Sequence, residues 1–515
     1  MYLTQHLHRA VQQTPEAIAT VYGDRVRTHR ESVERIARLA AALRSLGVAE
    51  GDRVGIYAHN SDHFHESLNA VWWIGGVVNA LNTRWSAREI AHALRDSGTR
   101  VLVVDDAFAP AVPALRGLWD GLTTTVHCGD GPPAEGMLGY EDLIGGSDPV
   151  EDRRLGGDRL AGLFYTGGTT GFPKGVMLSH RNLLTSALGS QASFRFSVGG
   201  GRTLYCAPMF HLAALGGWLG QSVVGGSHQF VPPFEPGAVL AAVERHRPTG
   251  ILLVPTMIQM LIDHPAARTA DLSSIQRVVY GASVISETLL SRAVDTFPQA
   301  GFVQAYGMTE LSPVATLLSP EDHHDRRRLR SAGRAASFTE VRAVDPEGAE
   351  LPPGTVGEIA VRGDNVMLGY WGLPEESAQV LRDGWMYTGD AGYLDDAGYL
   401  YIVDRLKDMI ITGGENVYSA EVENVIAQHP DVAACAVVGI PDPEWGERVH
   451  AVVVLRPGRT TTTDSIRAYA KTLIAGYKAP RSVEFRESLP VSAAGKVLKR
   501  DLRLRYMRQI GQPVD

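Results

Sequence analysis

A stretch rich in glycine and threonine, residues 165–175, holds the side chains best suited to chemistry in this chain. It contains four glycines, three threonines and Lys174, and it follows an apolar strand candidate, residues 160–165. Glycine lets the backbone turn through positive φ and bring its N–H groups against an anion, while threonine hydroxyls and a lysine add donors and charge. The stretch therefore predicts a loop that holds phosphate groups.

This loop differs from the common P-loop, in which a Gly-Lys-Ser/Thr sequence carries the lysine into a helix. Here Pro173 precedes Lys174 and Gly175 follows it. A proline at this point disfavours a helix, so we expect the chain to continue as an extended strand. Taken alone, a turn rich in glycine and threonine is equally compatible with an ordinary surface loop.

Six further segments carry polar or charged side chains that could serve the same chemistry. In chain order they are residues 207–211, 280–283, 305–310, 384–390, 404–418 and 489–500. Each has an ordinary structural explanation when taken alone: a core histidine, a buried tyrosine at a strand end, a turn, a helix cap at a glycine pair, or a surface lysine. The order of the segments along the chain decides between these structural explanations and a shared chemical function.

Together with residues 165–175, these segments resemble the signature motifs of the adenylate-forming superfamily, in order and over nearly the whole chain. That superfamily contains acyl-CoA synthetases, aryl-CoA ligases, luciferases and peptide-synthetase adenylation domains. The resemblance implies an AMP-forming acid-thiol ligase that joins a carboxylic acid to coenzyme A through an acyl-adenylate. ATP, Mg²⁺ and coenzyme A are the implied cofactors and cosubstrates.

The resemblance assigns the nucleotide contacts residue by residue. Tyr306 would stack on adenine, Thr309 would donate to the α-phosphate, and Glu310 would bind Mg²⁺ and act with Thr309 in catalysis. Asp390 and Arg405 would hold the ribose. The remaining nucleotide residues implied are Thr166, Gly167, Gly168, Thr169, Thr170 and Lys174 around the phosphates, and Gly281 and Ala282 beside adenine and the acyl group.

A second group of residues would serve the transfer to coenzyme A. Lys496 resembles the lysine that promotes adenylation, and Lys407 falls at the hinge about which relatives rotate their small domain. His211 would close the carboxylate pocket until coenzyme A arrives. The coenzyme A residues implied are Gly413, Gly414 and Trp445.

The segments that would line an acyl pocket are mostly apolar: residues 210–220, which include Trp218, and residues 256–260, 281–283 and 305–308. Apart from His211 and Tyr306 they hold no ionisable side chain, and Ala305 stands where many relatives have glycine. We expect a medium- or long-chain fatty acid as substrate. Two alternatives are an aryl or arylalkenoic acid-CoA ligase and an adenylating enzyme that loads a carrier protein; a nucleotide sensor without activity is a rival from another class.

Length and composition bound the remaining choices. At 515 residues the chain is longer than a domain with a single hydrophobic core, so we expect two or more domains. A content of 44% hydrophobic and 21% charged residues is typical of a soluble protein. We see no apolar run of the ~18 residues that a membrane helix needs and no secretory signal in residues 1–20, so we expect a cytoplasmic protein. A formal charge of −8 argues against nucleic-acid partners. The partners that the resemblance implies are the carboxylic acid, ATP and coenzyme A, and a homodimer stays open.

Cysteine usage and one basic run have ordinary explanations. Cys128, Cys206 and Cys435 lie far apart without a CxxC pair, which predicts small core residues and not a disulfide framework or a zinc site. The run at residues 326–328 is flanked by acidic residues and is expected to be a solvated loop.

Hydrophobic patterning predicts the architecture. Helix and strand patterns alternate from residue 35 to 105 and again from 160 to 316, which predicts layered α/β subdomains with a largely parallel sheet. Short β segments beyond residue 320 suggest a small β-barrel. We expect an N-terminal AMP-binding domain at residues 1–404, with the ATP and acyl sites. A small mobile α+β C-terminal domain at residues 405–515 would carry the hinge, the catalytic lysine and the coenzyme A tunnel.

Overall fold

The protein is described by a computed structural model that covers residues 1–166, 173–194, 197–283, 285–413, 415–491 and 497–509. The chain forms two compact units. Unit 1 consists of Met1–Val284, Thr288–Glu340 and Val361–Met386, and unit 2 consists of Ile285–Glu287, Val341–Ala360 and Tyr387–Asp515. The boundary between residues 404 and 405 stays a prediction.

The strands cover both units. In chain order they are β1 (Ile18–Tyr22), β2 (Arg25–Thr28), β3 (Arg53–Tyr57), β4 (Val77–Ala80), β5 (Val101–Val104), β6 (Thr124–His127), β7 (Leu138–Gly139), β8 (Leu160–Thr166), β9 (Lys174–Ser179), β10 (Arg202–Tyr205), β11 (Ser227–Phe230), β12 (Gly250–Leu253), β13 (Arg277–Gly281), β14 (Gly301–Gly307), β15 (Val314–Leu318), β16 (Arg334–Ala335), β17 (Thr339–Val344), β18 (Gly357–Gly363), β19 (Gly369–Tyr370), β20 (Leu381–Arg382), β21 (Trp385–Leu394), β22 (Leu400–Arg405), β23 (Ile410–Thr412), β24 (Glu415–Val417), β25 (Val432–Asp442), β26 (Gly446–Leu455) and β27 (Ser482–Arg486).

The helices alternate with these strands as the sequence predicts. In chain order they are α1 (Gln5–Gln13), α2 (His29–Ser45), α3 (Asp62–Trp73), α4 (Ala87–Ser97), α5 (Val112–Leu118), α6 (Tyr140–Gly145), α7 (His180–Phe194), α8 (Leu212–Val223), α9 (Pro236–His246), α10 (Pro255–Asp263), α11 (Glu287–Thr296), α12 (Pro374–Val380), α13 (Ser419–Ile426), α14 (Thr463–Leu473) and α15 (Lys499–Gln509).

Two large sheets form the core of unit 1. The first has nine strands in the order β16-β15-β14-β13-β12-β10-β11-β1-β2, and its central strands from β14 to β1 are parallel. The second has eight strands in the order β19-β9-β8-β4-β3-β5-β6-β7. Crossing helices bury the parallel strands on both faces, which explains why β4, β5 and β12 are apolar or fully buried runs without alternation.

Local sequence signals set the helix ends. Thr28 and Glu31 form a capping box that starts α2, and Ser86 and Glu89 form one that starts α4. Gly98 ends α4 in the left-handed conformation, at φ 64°, which glycine adopts without a steric penalty. Helix α3 is buried along its whole length, including the tryptophan pair Trp72 and Trp73 at its end.

A third sheet has five strands, in the order β17-β18-β21-β20 with β22 paired to β21. These are the short β segments that the sequence predicts beyond residue 320. Unit 2 also contains a sheet in the order β24-β23-β26-β25, with β27 parallel to β26. Helices α13 and α14 pack on it through valine and isoleucine side chains, among them Ile410, Val422, Ile426 and Ile466. The α+β character predicted for the C-terminal part is confirmed.

The structure also describes the cysteines and the basic run that the sequence analysis considered. Cys128 and Cys206 are buried and Cys435 is half-buried, and all three are free thiols. In the basic run, Arg327 pairs with Asp325 at 2.8 Å and is exposed, as a solvated loop requires. Among the described residues, we find no helix with the length and hydropathy needed to cross a membrane.

Candidate active site

The carboxyl edge of the first sheet collects several of the predicted residues. Strands β10, β12, β13 and β14 are parallel neighbours, so their carboxyl ends meet at one edge, where ligands bind in open α/β sheets. His211 follows β10, Gly281 ends β13, and Tyr306 lies near the end of β14. Thr309 comes directly after β14, in the 3-10 turn Thr309–Leu311. The fold therefore brings to one edge residues that lie a hundred positions apart.

Close backbone approach requires glycine at the end of β13. Gly281 pairs with Ala305 across the two strands, and a Cβ on Gly281 would lie 2.2 Å from the Ala305 carbonyl oxygen. The next residue, Ala282, is exposed and has φ 68°, a left-handed conformation that costs a non-glycine residue about 1–3 kcal/mol. The strand therefore turns sharply where the sequence predicts contact with adenine.

Glu310 is held at this edge with its side chain almost out of solvent. The residue is 6% exposed, and its backbone carbonyl accepts a hydrogen bond from the Met367 N–H at 2.8 Å. Its carboxylate Oε1 accepts a hydrogen bond from the Tyr370 hydroxyl at 2.9 Å. The chain segment around Tyr370 thus fixes both the backbone and the side chain of Glu310.

Tyr370 links Glu310 to the predicted phosphate-binding hairpin. It lies in the short strand β19, which pairs with β9, and the Lys174 ammonium lies 5.3 Å from the centre of its ring. Burial, and then the Glu310 carboxylate, raise the pKa of Tyr370, so the hydroxyl stays protonated and donates. Lys174 and Glu310, both predicted from sequence, therefore meet on one tyrosine that the sequence did not single out. A two-residue strand gives no periodicity that could have revealed it.

The hairpin β8–β9 is built as the phosphate-loop interpretation requires. Thr166 and Lys174 are partners across the antiparallel pair, and the chain continues from Lys174 as strand β9 and not as a helix. The predicted phosphate contacts Gly167, Gly168, Thr169 and Thr170 lie outside the described residues.

Helix α4 holds both ends of this hairpin loop. The Tyr165 hydroxyl donates to Asp96 at 2.5 Å, and the His92 Nε2 lies 3.3 Å from the Pro173 carbonyl oxygen. Tyr165, near the last described residue before the loop, and Pro173, the first described residue after it, are therefore both anchored to one helix.

His211 lies at the N-terminus of α8, as the residue that caps it, and its ring packs against Phe210 with 4.4 Å between ring centres. Trp218, seven residues further along the chain, does not fit the pocket-lining prediction. It is fully buried and its indole N–H donates to His65 Nδ1 at 3.1 Å, so it belongs to the core of unit 1.

In unit 2, Asp390 and Arg405 form the predicted pair. They are partners in the antiparallel ladder of β21 and β22, and Arg405 Nε lies 2.6 Å from Asp390 Oδ1. Asp390 is 3% exposed, and its N–H donates to the Thr388 hydroxyl at 3.1 Å. A buried carboxylate held by an arginine can accept hydrogen bonds from two neighbouring hydroxyl groups, as on a ribose.

Gly413 and Trp445 also come together in unit 2. The Gly413 N–H donates to the Trp445 carbonyl at 2.8 Å, and Gly413 has φ 61°. A Cβ on Gly413 would lie 2.6 Å from the indole ring. The Arg481 guanidinium lies over the Trp445 ring, 4.3 Å from its centre. No sequence signal pointed to Arg481.

Three predicted residues receive little or no description. Gly414 and Lys496 lie outside the described residues. The Lys407 backbone belongs to the 3-10 turn Leu406–Asp408, which joins β22 to β23. The turn is the short connection expected of a hinge, but the hinge function stays a prediction.

The site chemistry fits Mg²⁺ bound with a nucleotide. Within the described residues, no three His, Cys, Asp or Glu side chains converge as a metal-binding group. Mg²⁺ is usually bound by one or two carboxylates together with substrate phosphates and water. The buried Glu310 carboxylate beside the phosphate-binding hairpin supplies the hard oxygen that this arrangement needs.

Comparison with known proteins places this geometry in a family. The family described as AMP-binding enzyme matches residues 7–371, and the AMP-binding enzyme C-terminal domain matches residues 421–496. Feruloyl-CoA synthase of Amycolatopsis sp is 42% identical over 499 residues, which cover 97% of this chain and 98% of the relative. The fatty acid–[acyl-carrier-protein] ligase ScoC of Streptomyces coeruleorubidus is 37% identical over 505 residues, covering 96% of this chain and 94% of ScoC.

A solved structure agrees over the same span. The anthranilate CoA ligase AuaEII, in complex with anthranoyl-AMP, has a TM-score of 0.91 to this chain at 28% identity, covering 99% of this chain and 98% of AuaEII. The family matches, the relatives and the fold all agree with the resemblance seen in the sequence. The chain belongs to the AMP-binding enzyme family and is an AMP-forming acyl-CoA synthetase of the adenylate-forming superfamily.

Proposed function

We propose that this enzyme joins an apolar monocarboxylic acid to coenzyme A through an acyl-adenylate, with ATP as the source of AMP and pyrophosphate. The observation that carries the proposal is the contact of Lys174 and Glu310 with one tyrosine, Tyr370, beside the β8–β9 hairpin. These contacts place a cation and a buried carboxylate at the same tyrosine. Phosphate groups and their metal ion require such a pair of opposite charges.

Each predicted nucleotide residue would have its own contact. Thr166, Gly167, Gly168, Thr169, Thr170 and Lys174 would surround the β- and γ-phosphates. Tyr306 would stack on adenine beside Gly281 and Ala282. In unit 2, Asp390 would accept hydrogen bonds from the ribose hydroxyls while Arg405 orients its carboxylate; their 2.6 Å contact supports a joint role.

Glu310 would hold Mg²⁺ together with phosphate oxygens and water. The bound ion neutralises charge on the phosphates of ATP. Tyr370 supports this role because its hydroxyl occupies one carboxylate oxygen and fixes the side-chain orientation, so that the carboxylate is preorganised before ATP binds.

In the first half-reaction, an oxygen of the substrate carboxylate attacks the α-phosphorus of ATP. The bond from that phosphorus to the bridging oxygen breaks, and pyrophosphate leaves with the electron pair. Thr309 would donate a hydrogen bond to the α-phosphate, and Lys496 and Lys174 would face the developing negative charge. Catalysis then consists of positioning and charge stabilisation, without a nucleophilic side chain.

In the second half-reaction, the thiol sulfur of coenzyme A attacks the acyl carbonyl carbon, AMP leaves, and the thiol proton is released. Gly413 and Gly414 would let the pantetheine arm pass close to the backbone, with Trp445 near the coenzyme A nucleotide. His211 would close the carboxylate pocket until the thiol arrives, and Lys407 would be the hinge between the two half-reactions.

For the acid, we propose an arylpropenoic acid such as ferulate or cinnamate. Support comes from the 42% identical relative, a feruloyl-CoA synthase, and from the small residues Gly281 and Ala305 at the predicted pocket, which leave room for a flat ring. The fatty acid predicted from sequence stays as the second candidate, because the 37% identical relative is a fatty acid ligase and the pocket segments are apolar.

A substrate panel tests the proposal. Purified enzyme with ATP, Mg²⁺ and coenzyme A is given ferulate, cinnamate, octanoate and palmitate, and kcat/KM for thioester formation is measured for each. We expect the arylpropenoic acids to exceed octanoate by about tenfold or more, since a matched ring buries several CH₂ equivalents of apolar area. Higher values for octanoate or palmitate would move the assignment to fatty acids.

Three further measurements test the reaction itself. Absence of pyrophosphate release with every acid of the panel would disprove the proposed acids, and pyrophosphate release that does not depend on an added acid would disprove acid adenylation. Replacing coenzyme A by a phosphopantetheinyl carrier protein tests the acceptor; faster loading of the carrier would make this a carrier-loading enzyme. Lys496→Ala is expected to lower adenylate formation by about 10²–10³-fold while sparing thioester formation from supplied acyl-AMP.

A further inference from the structure

A buried asparagine outside the predicted site residues holds the turn that carries Glu310. Asn365 is fully buried, and its Nδ2 group donates to the Leu311 carbonyl at 3.1 Å and to the Val314 carbonyl at 3.0 Å. Leu311 directly follows Glu310 in the 3-10 turn Thr309–Leu311. One amide therefore fixes the backbone on which the predicted magnesium ligand sits.

Asn365 makes these contacts as a donor only. Its Oδ1 atom is buried, and within the described part of the chain no hydrogen-bond donor reaches it. An unpaired buried acceptor is unfavourable, and an apolar side chain of similar size would avoid that cost. Such a side chain could not bind the two carbonyl groups of the turn. Its two donor bonds are therefore what the amide supplies at this position.

The backbone on both sides of Asn365 is fixed by a second asparagine. Asn182 is 5% exposed, and its Nδ2 group donates to the Asp364 and Val366 carbonyls, each at 2.8 Å. Its Oδ1 atom accepts a hydrogen bond from the Ser179 N–H at 2.8 Å, at the end of β9. The end of β9 is therefore tied to the segment that holds the 3-10 turn.

The same segment contacts Glu310 at two further points. The Met367 N–H donates to the Glu310 carbonyl at 2.8 Å, and the Tyr370 hydroxyl donates to its carboxylate at 2.9 Å. Residues 364–370 therefore act as a brace: the two asparagines fix its first part, and its last part fixes the carboxylate. The brace, both asparagines and the 3-10 turn all belong to unit 1.

We propose that Asn365 and Asn182 are positioning residues that set the place and orientation of the Glu310 carboxylate for Mg²⁺ bound with ATP. The proposal rests on the proposed function of Glu310 as the magnesium ligand. Mg²⁺ demands near-ideal octahedral geometry, so a carboxylate that shifts with its turn is a poorer ligand. A misplacement of about 1 Å in a catalytic group can cost about a hundredfold in rate.

Calorimetric titration of the enzyme with ATP, with and without Mg²⁺ and with no acid added, tests the proposal. Asn365→Ala is expected to weaken binding of Mg·ATP about threefold to tenfold and to leave binding of metal-free ATP within about twofold, because the asparagine acts through the metal ligand. The Mg²⁺ concentration that half-saturates pyrophosphate release is expected to rise by a similar factor. An equal loss of affinity with and without Mg²⁺ would overturn the positioning function.

Asn69→Ala is the matched control. Asn69 is also fully buried, its Oδ1 atom likewise has no hydrogen-bond partner among the described residues, and its Nδ2 group donates to the His65 carbonyl at 2.9 Å within α3. Helix α3 carries none of the predicted site residues. We expect Asn69→Ala to lower Tm, as Asn365→Ala does, but to keep the affinity for Mg·ATP within about twofold. A loss of affinity as large as in Asn365→Ala would assign that loss to reduced stability and overturn the proposal.

A double-substitution cycle tests whether Asn365 acts through Glu310. In a Glu310→Gln background, Asn365→Ala is expected to change the rate of adenylation by no more than about twofold, because the group that it positions is already lost. Independent effects would multiply, as they do for residues that share no partner. Multiplied losses would therefore contradict a function exerted through Glu310.

Asn182→Asp covers the case in which Asn365→Ala does not fold. The aspartate can still accept from the Ser179 N–H, but its carboxylate cannot donate to the Asp364 and Val366 carbonyls. The same Mg²⁺-dependent loss is expected, and wild-type affinity for Mg·ATP in this folded variant would overturn the proposal. If Glu310→Gln binds Mg·ATP as wild type does, the premise about Glu310 fails and the positioning function fails with it, while acid-dependent pyrophosphate release by wild type still supports the synthetase function.

Discussion

At the scale of single residues, Tyr370 has an unusual combination of contacts. Its hydroxyl donates to the buried Glu310 carboxylate at 2.9 Å, and its ring faces the Lys174 ammonium at 5.3 Å. Lys174 and Glu310 were predictable because their motifs place charged residues in recognisable local patterns. Tyr370 was not, since its position depends on the pairing of β19 with β9, which lies almost two hundred residues earlier in the chain.

A pair of substitutions separates the two contacts of Tyr370. Tyr370→Phe removes the hydrogen bond to Glu310, and a hydrogen bond to a charged group contributes about 1.5–3 kcal/mol, so kcat/KM for ATP in adenylation is expected to fall about tenfold to a hundredfold. Tyr370→Leu also removes the cation–π contact and is expected to lose a further few-fold. Pyrophosphate release measures both.

Tyr469→Phe is the matched control for this pair. The Tyr469 hydroxyl also donates one hydrogen bond, to the Gln428 carbonyl at 3.2 Å, but in the sheet-and-helix part of unit 2. Activity within about twofold of wild type is expected for Tyr469→Phe. Wild-type kcat/KM in Tyr370→Phe would show that the hydroxyl does not orient Glu310.

At the scale of elements, the sequence predicted most of the secondary structure and its order. Hydrophobic patterning predicts a strand at residues 53–58 and a helix at residues 256–262, and the structure has β3 at Arg53–Tyr57 and α10 at Pro255–Asp263. Periodicity and capping residues are local signals, which is why they suffice for single elements. The order β10-β12-β13-β14, which collects the site at one edge, depends on crossovers that no local pattern encodes.

Gly281→Ala tests the close approach of β13 to β14. The added Cβ would meet the Ala305 carbonyl oxygen at 2.2 Å, so backbone must move, and overpacking of this kind costs about 1–3 kcal/mol. We expect a Tm lower by several degrees together with a large loss of adenylation, measured by thermal unfolding and pyrophosphate release.

Gly117→Ala is the control for that experiment, at a glycine where an added Cβ meets no other atom. Gly117 lies in α5 with no atom within 4 Å of its added Cβ, so the substitution is expected to stabilise the protein by about 0.5–1 kcal/mol. A Tm for Gly281→Ala at or above that of wild type would mean that the two strand ends can separate without cost.

At the scale of the whole molecule, buried histidines link stability to pH. His65 is 2% exposed, and its Nδ1 must be unprotonated because the Trp218 indole N–H donates to it at 3.1 Å. Burial lowers the pKa of His65 to about 3, with the nearby His6 and His29 lowering it further and Asp62 opposing them. Burial likewise lowers the pKa of His228, whose ring centre lies 5.5 Å from that of His65.

These lowered pKa values predict the direction of the pH dependence. In the unfolded chain a histidine binds its proton near pH 6.5, whereas in the folded protein His65 stays neutral until about pH 3. The unfolded state therefore binds more protons below pH 6.5, and the free energy of unfolding is expected to be full above pH 6.5 and to fall steadily from there toward pH 4.

Urea unfolding at pH 7.5, 6.5, 5.5 and 4.5 measures this dependence. His65→Gln retains hydrogen-bonding capacity but cannot titrate, and is expected to flatten the slope between pH 6.5 and 4.5. His264→Gln is the control, because His264 is only half-buried, at the start of a 3-10 turn. Equal slopes for wild type and His65→Gln would assign the acid sensitivity to other groups.

The proposed hinge also makes a prediction at this scale, because it would give the two half-reactions different arrangements of the catalytic residues. Lys407 lies in the 3-10 turn Leu406–Asp408, which connects β22, with the predicted ribose residue Arg405, to β23 and the rest of the small sheet. Lys407→Pro fixes φ near −65° in that turn. We expect it to spare adenylate formation and to lower thioester formation from supplied acyl-AMP by at least about tenfold, since only the second step would require rotation at this point.

Lys407→Ala removes the side chain while leaving the backbone free, and is expected to keep both half-reactions within about threefold. Unchanged overall turnover in Lys407→Pro would place the rotation elsewhere in the chain, and an equal effect of proline and alanine would assign the loss to the lysine side chain and not to the backbone.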